Sequence, residues 1–400
     1  MKKVLAVTYG LPFPLFEGSK IRDHCLLRAM AGEVEVHLLC FCKDDPDPKD
    51  LGPLPSFCSS VETYAVPQSK APTGMLPHLM SGRPLATFPF YFPEFAARVT
   101  ALARQHQVDV VQVEHSFLAP YVSAIPRGCV RVQSLHNIGE RQYASMARME
   151  RTSPAAWLKA MAMRGWEAEW AGRFDGVVTV SEEEKEWLLR RSPRTPVAVI
   201  PNGVDCGALQ PLPEPEAGND LLFIGTLGYP PNADAVRWLV EAILPRIRAA
   251  IPDARLVVVG RGPGAGLRSL AATGAFELHA DVPEILPYYR RCRLSLVPLR
   301  AGGGTRLKIL EAMALERPVV STSVGCEGLG VSHGQQLLIG DSPETLAGHM
   351  VAVLTDDSLR RGLVRSARKF VEQNHDWPAL GRRQIAFYNQ LMAARQQMTS

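Results

Sequence analysis

Short apolar runs rich in β-branched residues recur along this chain, each bounded by Gly, Pro, Asn or Asp and followed by a stretch long enough for a helix. This rhythm limits the possible folds more than any other feature. A strand buried on both faces reads as an unbroken apolar run, and a parallel neighbour is reached only through a crossover. The runs fall at 4–9, 34–41, 108–113, 130–135, 177–180 and 197–200. After the Pro-rich, acidic stretch Leu209–Asp220 they resume at 221–224, 256–259, 276–279, 294–298, 319–322 and 337–339. The spacing predicts an α/β chain of two Rossmann-like domains, each a doubly wound parallel sheet, facing a central cleft. The first domain is expected over 1–205 together with a terminal helix at 376–400, the linker over 206–219, and the second domain over 220–375.

Two domains also suit the length, because 400 residues exceed what one hydrophobic core usually serves. Hydrophobic residues at 46% and charged residues at 21% exclude a disordered chain. A net charge of +4, with no basic block longer than pairs such as Arg190-Arg191, excludes a nucleic-acid footprint and points to a small anion as partner. The opening MKKVLAVTYGLPFP is broken by Gly10, Pro12 and Pro14, so it reads as a first strand rather than a signal peptide. No apolar stretch approaches the ~20 residues that span a bilayer. The eight cysteines are scattered without zinc spacing, as expected of reduced thiols in a cytoplasmic protein. Between Arg148 and Trp170, Trp157, Met161, Trp166 and Trp170 alternate with Arg151, Lys159 and Arg164. That pattern has two readings: a basic amphipathic helix in peripheral contact with an anionic membrane at the inner face, or an aromatic stripe in the core.

Parallel sheets bind ligands beyond the carboxyl ends of their strands, so the informative loops are those that follow strands. The strongest is RAGGGTRLKILEAMALERPVVSTSVGCEGL, from Arg300 to Leu329. Gly302, Gly303 and Gly304 open it, Thr305 is the expected N-cap, and Pro318 stops the helix. Leu307, Leu310, Met313 and Ala314 form the expected buried stripe, which leaves Lys308 and Glu311 on another face. A helix N-terminus supplies only about 0.3–2 kcal/mol towards an anion, so Arg306 and Lys308 are expected to supplement it. An ordinary capped helix with an exposed Lys–Glu pair is the plain alternative. In the first half, Gly18 and Ser19 begin a helix with Arg22 one turn in, which suits either an anion or a simple surface cap. His136 and Asn137 follow one strand and His115 another, where an imidazole can serve a ligand or be a satisfied structural histidine.

Together with VIPNGVD (Val199–Asp205) and FIGTLGYPPNADAVRWL (Phe223–Leu239), the 300–329 stretch resembles the family-four retaining glycosyltransferases of GT-B fold, bacterial envelope or exopolysaccharide branch. The resemblance covers nearly the whole chain, and ADVPEILPYYRRCRLSLVPLRAGGGTRLKILEAMA follows the family's donor-domain core in order and spacing. It implies a nucleotide-diphosphate-sugar as co-substrate, no resident cofactor, and a carbohydrate, lipid-linked or small-molecule acceptor. The implied catalytic residues are His136, Arg306 and Lys308. Donor-binding positions are Gly18, Arg22, Gly225, Thr226, Arg261, His279, Ala280, Gly302, Gly303, Gly304, Thr305, Glu311 and Glu327; acceptor-binding positions are Ser19, His115 and Asn137. No metal is expected, because the diphosphate has its own cations. Two departures stand out. The family's Glu-x7-Glu motif places its second glutamate on Glu311, for the ribose hydroxyls, but its first on Gly303. Where relatives often carry an Arg and a Lys after the strand ending at Ile224, this chain has GTLGYPPN, with Thr226 and Asn232 nearby. A sugar-nucleotide epimerase and a non-catalytic nucleotide-sugar-binding subunit are the alternatives, the second suggested by Gly303.

Overall fold

The computed structural model describes residues 1–42, 47–66, 90–141, 144, 163, 165–215, 218–302 and 305–399. They form two compact units, Met1–Asn202 with Trp377–Ser400, and Gly203–Asp376.

In the first unit seven parallel strands are ordered β3-β2-β1-β4-β5-β6-β7. They are β1 (Lys2–Thr8), β2 (Val34–Cys42), β3 (Ser60–Ala65), β4 (Val110–Glu114), β5 (Val130–Ser134), β6 (Gly176–Thr179) and β7 (Val197–Val199). Both faces of β1 are covered, and its side chains alternate between them. Val4 and Ala6 join the layer of α1 (Gly18–Met30) and the terminal helix Trp377–Thr399, while Leu5 and Val7 join that of α2 (Pro93–Gln105). Gly381 lets the terminal helix approach α1 closely: a Cβ there would lie 2.9 Å from the Ala29 carbonyl oxygen. Strand β3 escaped the sequence reading. SVETYA lies at the sheet edge and is half-buried over most of its length, so it lacks the apolar run that marks its neighbours.

The second unit carries six parallel strands ordered β10-β9-β8-β11-β12-β13. These are β8 (Asp220–Ile224), β9 (Arg255–Gly260), β10 (Glu277–Ala280), β11 (Leu294–Val297), β12 (Val319–Ser321) and β13 (Leu338–Ile339). The helices that concern the site are α3 (Pro230–Trp238) and α4 (Leu307–Ala314). Leu209 and Leu212 of the Pro-rich segment pack on this unit's core. Arg317 fixes that segment by donating to the Pro213 carbonyl at 2.7 Å, and Arg368 by donating to that of Leu209 at 2.6 Å.

In each sheet the strand order reverses once, between β1 and β4 and between β8 and β11. The loops leaving these strands spread apart at the reversal, which is where an open parallel sheet admits a ligand.

The membrane-facing reading of the aromatic stretch is not supported. Trp166 and Trp170 are buried in the core with Met163, because their helix turns that stripe towards the sheet. Trp157 and Met161 lie outside the described residues. Among the described residues no helix is long and apolar enough to cross a membrane. None of the eight cysteines is in a disulfide.

Candidate functional site

In the second unit the chain leaves β8 through Gly225 and β9 through Gly260, and the two turns are laced together. Gly225 N donates to Val259 O at 3.0 Å and Leu227 N to Arg261 O at 2.7 Å. Across this floor stands Lys308, in the first turn of α4. Its Nζ donates to Asn232 Oδ1 at 3.2 Å and sits 4.6 Å from the centroid of the Phe223 ring. Asn232, buried in α3, donates through Nδ2 to Thr226 O at 2.9 Å and so ties Lys308 to the loop after β8. Gly225 makes room for this ammonium, since a Cβ there would come within 2.8 Å of Lys308 Nζ.

Lys308 and Glu311 are therefore not an exposed surface pair; both are partly buried. Burial, and then the neighbouring Arg306, lower the Lys308 pKa to about 7. Burial likewise raises Glu311, against the pull of Lys308 and of the Tyr289 hydroxyl. Arg306 is buried and its pKa lowered by desolvation, while Tyr229 and Glu327 favour its charge. Gly302, at φ +122°, packs its backbone on this group: a Cβ would lie 3.2 Å from Arg306 Nη2 and 3.5 Å from the Tyr229 hydroxyl. Thr305 is not the N-cap. The helix begins at Leu307 with Arg306 in the cap position, and Arg306 makes no side-chain cap bond.

The structure thus gathers Gly225, Thr226, Gly302, Arg306, Lys308 and Glu311, with exposed Glu327 near Arg306. Gly303 and Gly304 lie outside the described residues. Arg261, His279 and Ala280 stand at the ends of the adjoining strands β9 and β10. His279 Nε2 lies 2.5 Å from Glu277 Oε1, and its ring lies 4.6 Å from that of Tyr288. Asn232 was noticed only as a neighbour, and Tyr289 was missed. The Pro-Pro-Asn at the start of α3 was the available signal for Asn232, because a buried amide in a first turn needs partners.

In the first unit the end of β4 presents Glu114 and His115, and the loop after β5 presents His136. His136 Nε2 lies 2.9 Å from Glu114 Oε2 and 3.1 Å from Asp23 Oδ1, all three side chains being buried. The support extends inward. Gln112 donates to Glu114, and its Oε1 accepts from Gln384 at 2.9 Å and from Tyr388, both on the terminal helix. Burial opposes a charge on His136, but Asp23 and Glu114 overcome it and raise the imidazole to about 9. Burial pushes Asp23 up and works against Glu114, whose hydrogen bonds from His136 and Gln112 nonetheless hold it below its usual value. His115, in a left-handed conformation with φ +63°, sets its ring 3.9 Å from that of His136, tilted by 38°. Burial and that charged neighbour keep His115 neutral. Beside this group lies an open pocket of roughly 520 Å³ whose lining includes Tyr9, Leu11, Ser19, Asp23, Phe41 and His115.

Ser19 and His115 reach the pocket, and Asn137 is half-buried one residue beyond His136. Gly18 opens α1 and is exposed. Arg22 is not a surface arginine. It is buried, with its terminal nitrogens donating to Ile200 O at 2.8 Å and to Pro201 O and Asn202 Oδ1 at 3.0 Å, so it fixes the end of the first unit. Asp23 and Glu114 were missed. Two charged residues side by side in the otherwise apolar interior of α1 were the legible hint for Asp23.

Asp23, His115 and His136 each offer a ligand atom, all within 4.8 Å of one another. One Asp-x-Asp run, Asp45–Asp47, is present in the sequence, and its residues 45 and 46 lie outside the described residues.

The raised His136 value has a consequence for stability. A group whose folded pKa lies above its unfolded value contributes stability that is complete below the unfolded value of about 6.5 and is lost as pH rises through the folded one. Urea midpoints of the wild type should therefore fall between pH 6.5 and about 9 relative to those of His136→Gln. Parallel profiles for the two proteins would refute the charged imidazole.

Two family models match the chain: Glycosyltransferase Family 4 over residues 24–207 and Glycosyl transferases group 1 over residues 218–356. The chain belongs to the group 1/family 4 glycosyltransferases. Within this family, the phosphatidyl-myo-inositol mannosyltransferase of Mycolicibacterium smegmatis is 27% identical over 229 residues, 55% of this chain and 58% of that protein. The chain spans about half the length of the curated relatives it matches, 42% and 58% for the first two. Sucrose-phosphate synthase from Thermosynechococcus elongatus superposes with a TM-score of 0.71 at 20% identity, over 98% of this chain and 100% of that one. HepE from Anabaena, solved in complex with UDP and glucose, gives a TM-score of 0.65 at 16% identity, over 96% and 98% of the two chains. These likenesses show the fold of this family member to be GT-B, an α/β architecture of two parallel-sheet domains.

Proposed function

We propose that this protein is a retaining, metal-independent transferase that moves a sugar from a nucleoside diphosphate to an acceptor hydroxyl, in the synthesis of a bacterial polysaccharide, glycolipid or other glycoconjugate. The donor belongs to the second unit and the acceptor to the first. One observation carries the reading: Lys308 Nζ stands at the β8/β11 reversal, brought close to the loop backbone after β8 by the missing side chain of Gly225. Departure of a nucleoside diphosphate builds negative charge on the β-phosphate, and preorganised cations stabilise that charge most where water is excluded. Lys308, Arg306 and the amides at the start of α4 fill this role without a divalent ion. Glu311, beside Tyr289 and Lys308, takes the ribose hydroxyls.

Retention follows from attack of the acceptor on the face the leaving group vacates. The leaving phosphate takes the hydroxyl proton, so the reaction needs no pair of carboxylates flanking the bond as in retaining hydrolases. Charged His136 orients the transferred sugar, and its Nδ1 has no hydrogen-bond partner among the described residues. The activities of the matched proteins agree with this reading: one relative is named as a mannosyltransferase, and HepE was solved with UDP and glucose.

The test is to incubate the purified chain with UDP-, GDP-, ADP- and dTDP-sugars, with and without a panel of glycoside and glycolipid acceptors. Nucleoside diphosphate release should require an acceptor, and the product should keep the donor's anomeric configuration. Conversion of a donor to its stereoisomer without acceptor, or nucleotide binding with no product across the panel, would count against it.

A further inference from the structure

Two buried glutamates of the first unit, Glu167 at 1% exposed and Glu184 at 7%, have no role in the reaction as proposed. Glu167 stands on the helix Trp166–Ala171 and Glu184 on the helix Glu182–Leu189, and both turn to the loop after β5. Glu167 accepts from Gly139 N through Oε1 and from Glu140 N through Oε2, each at 3.1 Å, and also from the Ser116 hydroxyl. Glu184 accepts from Val180 N at 3.3 Å, in the loop after β6, and from the Ile138 amide. Three consecutive amides, those of Ile138, Gly139 and Glu140, thus end on two carboxylates. Gly139 permits the approach, since a Cβ there would lie 3.2 Å from Glu167 Oε1 and 2.7 Å from Met163 Cε.

Burial disfavours both charges: it raises Glu167 and brings Glu184 to about 7, against the pull of these amides and, for Glu184, of Arg141 and Arg22. A glutamine fills the same volume but accepts at one end only and donates at the other, so it cannot receive two amides spread over both oxygens. The residue type at 167 therefore answers a need of the loop rather than of the core. Between the anchors lies His136. Leu135 N donates to Val178 O at 2.8 Å, so the sheet holds the chain on one side of His136 and Asn137 while the glutamates hold it on the other. Through Ser116, Glu167 also reaches the loop that carries His115, whose ring is 3.9 Å from that of His136.

We infer that Glu167 and Glu184 are positioning residues: through the amides of Ile138, Gly139 and Glu140 they clamp the turn that follows His136 and so fix its imidazole against the transferred sugar. That His136 meets a sugar rests on the proposed transfer reaction; the clamp itself does not.

The experiment has one arm without turnover and one with it, both on the full chain. In the first, hydrogen exchange is followed by mass spectrometry on peptides spanning residues 135–141. The wild type should exchange there at least about ten-fold more slowly than an unstructured chain, and Glu167→Gln about ten-fold faster than the wild type, the scale of one hydrogen bond to a charged group. In the second arm, Glu167→Gln should lower kcat about ten-fold with donor KM unchanged, whereas Glu169→Gln, exposed on the same helix, should behave as wild type. In a His136→Gln background the Glu167→Gln change should cost nothing further, because a residue that acts through another is not additive with it. A merely structural role would add its loss in both backgrounds. Should Glu167→Gln fail to fold, Ser116→Ala removes one donor and leaves the carboxylate; it should lower kcat about two- to three-fold, again only where His136 is present. The inference is overturned if the wild-type stretch exchanges as an unstructured chain, if a folded Glu167→Gln turns over as wild type, or if its loss persists without His136. It is equally overturned if Glu167→Gln does not fold and Ser116→Ala has no effect or the same effect in both backgrounds. Absent nucleoside diphosphate release by the wild type would count against the proposed reaction, while the exchange arm still decides the clamp.

Discussion

Lys308→Ala is expected to lower turnover by roughly 100- to 1000-fold, the usual effect of removing one well-aimed donor to a leaving oxyanion, about 2.7–4 kcal/mol. Folding should hardly change. Lys308 is held with its pKa near 7 chiefly by burial, so in the folded state the ammonium is a burden that the alanine variant does not carry. The sign can be checked against pH. Between about 7 and the ordinary lysine value the unfolded chain binds a proton that the folded one lacks, so wild-type stability should rise across that window. The variant should lose this slope. A diphosphate bound beside Lys308 favours the protonated amine, so nucleotide affinity should fall as pH climbs above about 7, and that dependence should vanish in Lys308→Ala. Steady-state kinetics and denaturant titrations at several pH values measure both effects. A loss of stability matching the loss of turnover would make Lys308 a structural residue instead.

The second large effect is expected at Gly260, where β9 ends. A Cβ added there would lie 1.8 Å from the Gly225 carbonyl oxygen and 3.0 Å from Leu227 Cγ. The nearest obstacle is backbone, held by the hydrogen bonds from Gly225 to Val259 and from Leu227 to Arg261, so no side-chain rotation relieves the clash. Overpacking of this kind costs about 1–3 kcal/mol and sometimes more. For a unit of this size Gly260→Ala should lower the melting temperature by about 5–10 °C. It should also abolish nucleotide binding, because Gly225 can give way only by moving relative to Lys308. Gly264→Ala is the matched control, since nothing lies within 4 Å of its added Cβ. Similar melting curves for the two variants would refute the close approach.

The strand-and-helix rhythm was legible because parallel strands buried on both faces leave continuous apolar runs, as β1, β8 and β9 do. Edge strand β3 was not, since half-burial lets polar residues alternate through it. The glycine-opened helix could be located, but not the surroundings of its charges. Periodicity placed Lys308 and Glu311 off the most buried stripe of α4; it could not reveal Asn232, Phe223 and Tyr289 arriving from other elements to enclose them. The same limit applies to the first unit. His136 was identifiable from its place after a strand, whereas Asp23 and Glu114 meet it only through the order β1-β4-β5 and the packing of α1. Arg22 was legible by its position but not by its partners. One turn into a helix at a loop it resembles an anion ligand, and only the fold shows its nitrogens committed to residues nearly 180 positions away, at Ile200–Asn202.

The central claim is that the loop after β8 and the start of α4 hold the diphosphate of a nucleotide through Lys308. Isothermal titration of UDP, GDP, ADP and dTDP into the wild type and Lys308→Ala at pH 7 tests it most directly. The account expects one of the four to bind the wild type and to bind the variant at least about ten-fold more weakly, the least a charge-assisted contact normally contributes. Failure of all four to bind, or equal affinity for both proteins, would contradict it.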